Sequence, residues 1–159
     1  MIRPMQAADV PAVAALDAEL FDEHAWSLQA WAREGSNEEP DRRYLVSWAE
    51  RQLVGYAGIM RTGSDADVLT VAVASRLRRH GHGLALVQAL LEVANGWRCL
   101  AVFLEVEQDN AAALGLYAGL GFREMGTRRH YYGPDRHAVT MRFQAREPLG
   151  AQSFGGDES

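Results

Sequence analysis

The stretch that decides the fold is Val71-Ala-Val-Ala-Ser-Arg-Leu-Arg-Arg-His-Gly-His-Gly-Leu-Ala-Leu-Val-Gln-Ala-Leu-Leu91. Its first residues are apolar and β-branched, which is typical of a buried strand. After the glycines, apolar residues return at the helical spacing i, i+3, i+4, i+7. The spacing predicts a helix whose buried stripe is Leu84, Val87, Gln88 and Leu91, widened by Leu86, Leu90 and Val93.

The turn between this strand and helix has the pattern Arg78-x-x-Gly81-x-Gly83. At a helix start the first backbone N–H groups have no intrahelical partner and the helix dipole is positive, so an anion can bind there. Glycines keep side chains out of its way, and each N–H bond to an ionised oxygen contributes about 1.5 to 3 kcal/mol. The turn therefore predicts a phosphate or pyrophosphate site, with positive charge added by Arg78, Arg79 and, if protonated, His80 and His82.

Two better-known phosphate loops fit this turn less well. The P-loop requires Gly-Lys-Ser/Thr, whereas Gly83 is followed by Leu84 and Ala85. The dinucleotide fingerprint requires Gly or Ala where Leu86 stands, although Glu105 lies about where an acidic ribose ligand is expected. The P-loop pattern is therefore excluded, and the match to the dinucleotide fingerprint is weak.

The pattern resembles the pyrophosphate loop of the GCN5-related N-acetyltransferases (GNAT). The resemblance implies that acetyl-CoA is the co-substrate and that its phosphates lie on Arg78, Arg79, His80, Gly81, His82, Gly83 and Leu84. It also implies that the backbone of Val71, Ala72 and Val73 lies along the pantetheine arm and thioester. One alternative remains open: the two glycines only turn the chain, and the arginines are solvated.

Composition limits the class of protein. The chain has 159 residues, of which 48% are hydrophobic and 23% charged, as in a globular protein with one core. No apolar run is long enough for a membrane span and no signal-peptide core follows the N-terminus, so we expect a cytoplasmic protein without a membrane partner. The net charge of −5 argues against nucleic acid and is compatible with a basic protein or peptide partner. The single Cys99 excludes an internal disulfide and is expected to be buried.

Local signals predict the order β, α, α, β, β, β, α, β, α, β, β. Predicted helix caps are Asp9, Ser27 and Asn110, with Gly121 ending the last helix. This order resembles the GNAT fold, an α/β (α+β) class with a mixed, mostly antiparallel sheet of about seven strands flanked by about four helices. We expect a single acetyltransferase domain over residues 1–143 and a flexible C-terminal tail over 144–159.

A second informative stretch runs from Leu104-Glu-Val through Asn110-Ala-Ala-Ala and Leu116-Tyr to Leu120-Gly-Phe122. With Trp26-Ser27 and Arg128-Arg-His-Tyr-Tyr132, it resembles the RimI-type ribosomal-protein alanine N-acetyltransferases. Acetyl transfer to an amine needs a proton acceptor, and Glu105 stands at the end of a core strand where a base can act. The resemblance also implies that Glu105 is the base, Tyr117 the acid and Asn110 a cofactor contact. The alternatives are an ordinary strand-end carboxylate for Glu105 and a packing role for Tyr117, which shares a helical face with Leu114.

The resemblance implies that the acceptor contacts Trp26, Tyr131 and Tyr132 and is a protein N-terminus, in particular the alanine of a small-subunit ribosomal protein. We expect no metal, because no pair of the five histidines has the spacing of a zinc site. The oligomeric state is expected to be a monomer or weak dimer. Two alternatives stay open: a related enzyme that acetylates lysine or a small amine, and an acyl-CoA-binding module without activity.

Overall fold

The computed structural model describes residues 1–133 and 136–146, and the side chains of 128–133 lie outside the described part. The α-helices in this part are α1 (Val10–Phe21), α2 (Leu28–Glu34), α3 (His82–Gly96) and α4 (Ala111–Leu120). The strands are β1 (Ile2–Pro4), β2 (Arg42–Ala49), β3 (Gln52–Thr62), β4 (Asp65–Val73), β5 (Ala101–Glu107), β6 (Arg123–Gly133) and β7 (Arg136–Gln144). The predicted class and the predicted order of elements are confirmed.

The strands form one seven-stranded mixed sheet in the order β1-β2-β3-β4-β5-β7-β6. Strand β4 pairs with β5 in parallel at Ala66–Val102 and Asp67–Phe103. Antiparallel pairs join β1 to β2, β2 to β3, β5 to β7 and β6 to β7. Both predicted hairpins are therefore present, and Pro134 and Asp135 of the second turn lie outside the described residues.

The chain packs into two compact units, which are described separately. The first comprises Met1–Met60 and Val68–Val93, and the second comprises Arg61–Asp67 and the chain from Ala94 onward. The first unit has a core of buried side chains from the segment after β1, from α1 and α2, and from the strands that follow them, among them Met5, Val13, Trp31, Tyr44 and Tyr56. The apolar face of α1 supplies Val10, Val13 and Leu16 to this unit.

Helix α3 confirms part of the predicted buried stripe, namely Leu86, Val87 and Leu90, but not all of it. The solvent-excluded residues are Leu86, Val87, Leu90 and Ala94, whereas Leu84 is 36% exposed and Gln88 is also exposed. Apart from Gln88, Glu92 and the terminal residues, this helix is apolar on all sides. The spacing of apolar residues therefore allows either the side with Leu84 or the side with Leu86 to be buried. Packing selects between them: Leu86 lies against Gly55 on β3, where an added Cβ would meet its side chain at 3.2 Å and the carbonyl oxygen of Ala72 at 2.3 Å.

Three of the four predicted caps are confirmed. Ser27 Oγ accepts a hydrogen bond from the amide of Ala30, Asn110 Oδ1 accepts one from the amide of Ala113, and Gly121 is left-handed with φ +107°. The prediction for Asp9 is wrong, because its side chain does not cap α1. Its carboxylate is instead held by Arg3 at 2.7 Å and by the backbone amide of Gln6 at 2.8 Å.

In the second unit, β5 is central. It buries alternate residues along its length, and Cys99, just before it, is 1% exposed as predicted. The amide of Arg146 donates to the carbonyl of Leu100, and its guanidinium donates to Asn95 Oδ1 at 2.7 Å. Residues 147–159 lie outside the described part, so the single domain over 1–143 and the flexible tail over 144–159 stay predictions.

Candidate active site

The basic turn before α3 leads into a helix start with unpaired backbone amides. The amide of Ala85 donates to the carbonyl of Gly81, so the amides of His82, Gly83 and Leu84 precede the first complete turn and have no intrahelical acceptor. Gly81 has φ +83°, and no described atom lies within 4 Å of the position that a Cβ would take. The space beside Gly81, directly before the helix start, is therefore open.

The charges around this turn are available to a ligand. Arg78, Arg79 and His80 are exposed, and within the described part of the chain neither arginine makes an ion pair. Arg79 has φ +67°, an unfavourable conformation for a non-glycine residue, and it brings the chain round to the helix. The sequence-predicted residues from Arg78 to Leu84 therefore form one continuous basic turn.

The backbone of β4 has one edge directed away from β3. The amide of Ala74 donates to the carbonyl of Val54 at 2.8 Å, and the carbonyl oxygen of Ala72 lies against Gly55. Since backbone groups of successive residues in a strand point to opposite edges, those of Val71 and Val73 point away from β3. These are groups that can hydrogen-bond a ligand lying along the strand, and Ala72 is the buried residue between them.

Glu105 lies near the end of β5, directly opposite Thr140 on β7. It is partly buried, and its neighbours Leu104 and Val106 point into the interior of the second unit. A carboxylate in this position is fixed by the strand while its side chain keeps a route to solvent. This arrangement is compatible with the exchange of a proton.

Tyr117 lies on α4 and is partly buried. Its ring packs edge-on against Phe122 with centroids 5.8 Å apart, and Phe122 in turn packs on Phe143 at 5.5 Å. Burial raises the pKa of the Tyr117 phenol, so the hydroxyl keeps its proton at neutral pH. The packing role and the proton-donor role weighed in the sequence are therefore compatible with each other.

Asn110 begins α4 and its two side-chain atoms have separate uses. The oxygen accepts the capping hydrogen bond from Ala113 at 3.1 Å. The Nδ2 group is a donor that the cap does not use, so it can bind a ligand carbonyl without uncapping the helix. Glu105, Asn110 and Tyr117 all belong to the second unit.

Trp26 belongs to the first unit and is 42% exposed. Its indole packs on Trp31 with ring centroids 4.7 Å apart, and its backbone amide donates to Asp17 Oδ2 at 2.8 Å. These contacts place Trp26 on the wall of an open pocket. Strand β6 contains Tyr131 and Tyr132, but their side chains are outside the described part, so their role as acceptor contacts stays a prediction.

Sequence reasoning missed Asp17, which is 6% exposed and lines the same pocket. A signal was present, since Asp17 follows Val13 by one helical turn and so lies on the buried face of α1. The described residues contain no group of three or more histidine, cysteine or acidic side chains able to hold a metal ion. No helix among them is both long and apolar enough to cross a membrane.

Comparisons with known proteins agree on the class. The family model "Acetyltransferase (GNAT) family" matches residues 9–122. The chain is 38% identical to N-alpha-acetyltransferase RimI of Mycobacterium tuberculosis over 149 residues, which is 89% of this chain and 90% of that protein. The crystal structure of ribosomal-protein-alanine N-acetyltransferase from Brucella melitensis superposes with a TM-score of 0.80 at 28% identity, covering 91% and 99% of the two chains.

A third comparison concerns the fold alone. The ribosomal-protein-S18-alanine N-acetyltransferase from Escherichia coli superposes with a TM-score of 0.81 at 24% identity, covering 93% of this chain and 95% of that one. Together these findings define an acetyl-CoA-dependent N-acetyltransferase. The chain belongs to the GNAT acetyltransferase family.

Proposed function

We propose that the protein acetylates an N-terminal α-amine, specifically the N-terminal alanine of a small-subunit ribosomal protein, by direct transfer with Glu105 as base and Tyr117 as acid. The observation that carries the acceptor class is the 38% identity to N-alpha-acetyltransferase RimI, which extends over 90% of that relative. Acetyl-CoA supplies the activated acetyl group as a thioester. The remaining tasks fall to the residues of this chain.

The first task is to hold the coenzyme. The amides of His82, Gly83 and Leu84 and the charges of Arg78 and Arg79 are suited to its pyrophosphate. The Asn110 Nδ2 group and the outward-pointing backbone of Val71 and Val73 are suited to the amide-containing arm and the thioester oxygen.

The second task is proton transfer. An α-ammonium group titrates near 8, so at neutral pH a base must remove a proton before the nitrogen can attack. Glu105 accepts that proton, directly or through water. Tyr117 donates a proton to the departing thiolate as the carbon–sulfur bond breaks, and the second proton that the nitrogen loses on becoming an amide restores the phenol. Burial raises the pKa of Tyr117, so the phenol is protonated at neutral pH before the reaction. Cys99 is buried before the start of β5, so an acetylated cysteine is not part of the proposal.

A peptide panel tests this assignment by the release of free thiol from acetyl-CoA. The acceptors are a peptide beginning Ala-Arg with one internal lysine, the same peptide with its N-terminus blocked, and spermidine. Thiol release with the first acceptor alone is expected. Equal rates with the blocked peptide or a higher rate with spermidine would assign the enzyme to lysine or small amines. Tight coenzyme binding without turnover on any acceptor would leave only an acyl-CoA-binding module.

A further inference from the structure

The first unit contains an open pocket between the end of α1, the Asp22–His24 turn and β4. Its volume is about 200 Å³, several times the roughly 30 Å³ that a water molecule occupies in the liquid, so it can hold a side chain. Its wall is formed by aromatic and apolar groups with one buried carboxylate: Asp17, Phe21, His24, Trp26, Trp31, Leu69 and Thr70. All of these residues belong to the first unit.

The carboxylate of Asp17 is held by three neutral donors. Tyr56 Oη donates to Oδ1 at 2.6 Å, while Trp31 Nε1 and the amide of Trp26 donate to Oδ2 at 2.9 and 2.8 Å. Burial and the bond to Asp17 raise the pKa of Tyr56, so its hydroxyl remains a donor. Since an ionised carboxylate has about four acceptor positions, one position on Oδ1 is left for a further donor.

Asp9 provides a contrast within the same unit. It is also buried, at 3% exposure, and it also accepts from an indole, that of Trp48. However, Arg3 pairs with both of its oxygens at 2.7 Å, whereas Asp17 makes no ion pair within the described part of the chain. The negative charge of Asp17 is therefore stabilised by hydrogen bonds but not neutralised, and it faces a pocket.

The rim of the pocket favours the same kind of ligand. Phe21, Trp26 and Leu69 are each about two-fifths exposed, so their apolar surfaces are accessible to a ligand at the pocket rim. Aromatic faces attract cations, and apolar walls accept the methylene stem of a long basic side chain. Asp22 and Glu23 lie in the adjoining turn and add negative charge, while His24 is the basic side chain among the wall residues.

We infer that this pocket binds a cationic side chain, guanidinium or ammonium, of the acceptor protein, with Asp17 at its base and Trp26 on its wall. The inference rests on the proposed function for the identity of the ligand as an acceptor. It goes further by assigning acceptor specificity to a pocket whose residues differ from those proposed for proton transfer.

The test uses a ligand that cannot be acetylated, so it is independent of turnover. Nα-acetyl-arginine amide and its uncharged analogue Nα-acetyl-citrulline amide are titrated into the full-length protein while tryptophan fluorescence is followed. A hydrogen bond to a charged group contributes about 1.5 to 3 kcal/mol, so arginine is expected to bind about 10- to 100-fold more tightly. Equal affinity for the two ligands would overturn the inference.

Two lysine substitutions locate the binding site without disturbing the buried hydrogen bonds. Leu69→Lys places a positive charge on the pocket wall, and we expect it to weaken arginine binding about fivefold, less so in high salt. Leu28→Lys is the matched control, because Leu28 is 55% exposed and does not line the pocket. If both variants weaken arginine binding equally, or if neither weakens it, the assignment is contradicted.

Asp17→Asn tests the carboxylate directly, with Asp9→Asn as a control for the loss of a buried carboxylate that does not line the pocket. The first variant is expected to lose the preference for arginine over citrulline, and the second to keep it. If Asp17→Asn fails to fold, the comparison of Leu69→Lys with Leu28→Lys decides whether the pocket binds the cation. Binding of arginine in a protein that acetylates no α-amine would reject the proposed function while retaining the cation site.

Discussion

The two compact units carry different parts of the proposed reaction. The first contains the turn from Arg78 to Leu84 and the backbone of Val71 and Val73, where the proposed ligand contacts come mainly from main-chain groups. The second contains Glu105 and Tyr117, where the proposed contacts come from side chains that exchange protons. The second unit also contains Asn110, whose side chain is proposed to contact the coenzyme. Apart from that contact, the difference indicates that coenzyme affinity and the chemical step can be altered separately by substitution.

The largest effect is expected from Glu105→Gln. Removal of a general base costs about 10²- to 10⁴-fold in rate, so kcat should fall by that amount while the dissociation constant of acetyl-CoA is unchanged. Steady-state kinetics and equilibrium binding on one preparation measure both quantities. Glu124→Gln, on the exposed β6 strand of the same unit, is the control and should behave like the unmodified protein. A loss confined to coenzyme affinity would place Glu105 with the binding residues.

Tyr117→Phe is expected to have a smaller effect, near the lower limit of about 10²-fold for a lost proton donor. The ring contact with Phe122 is preserved, so stability should change little. Because burial raises the phenol pKa, the protonated form persists above the ordinary value near 10, and the alkaline fall of kcat should begin above that pH. The variant should lack this fall, and a full rate in the variant would leave only the packing role.

Gly81→Ala is expected to weaken coenzyme binding without changing kcat at saturation. A side chain at φ +83° costs about 1 to 2 kcal/mol, so alanine favours a shift of the turn away from this conformation. If the coenzyme needs the original conformation, its dissociation constant should rise about 5- to 30-fold. Gly63→Ala is a matched control, since Gly63 has φ +62° and equally open surroundings but lies in the turn before β4. Equal losses of affinity in both variants would mean that strain, and not the site, is responsible.

Substitutions of Asn110 are expected to have the smallest effects. They separate its contribution to the stability of the protein from its contribution to coenzyme binding. Asn110→Ala removes the helix cap and should cost about 1 kcal/mol in the free energy of unfolding, measured by denaturant titration. Asn110→Ser keeps a capping oxygen but removes the Nδ2 donor, so only coenzyme affinity should fall. If serine restored the affinity completely, the role of Asn110 would be limited to the cap.

The sequence predicts local features well where the signal and its partner lie within a few residues. The caps at Ser27 and Asn110 and the left-handed Gly121 depend on hydrogen bonds that span three or four positions, and all three are confirmed. The basic turn was also predictable, because its glycines and arginines are adjacent in the sequence. The buried stripe of α3 was predictable only in part: Leu86, Val87 and Leu90 are buried as expected, whereas the exposure of Leu84 depends on where β3 packs against the helix at Gly55.

Partners that lie outside the local sequence pattern set the limit of such prediction. Asp9 has the sequence of a helix cap, but a nearby arginine in β1 binds its carboxylate instead. Asp17 is stabilised by Tyr56, which lies 39 residues away, and no local pattern indicates that pair. The insertion of β7 between β5 and β6 is likewise a property of the assembled sheet and not of any single strand.

The most direct test of the central claim is to locate the acetyl group on the product. The acceptor is a peptide that begins with alanine and contains one internal lysine, and the acetylated product is sequenced by tandem mass spectrometry. We expect the acetyl group on the alanine α-nitrogen, and we expect Glu105→Gln to form little of this product. Acetylation of the lysine side chain with a free N-terminus would contradict this expectation.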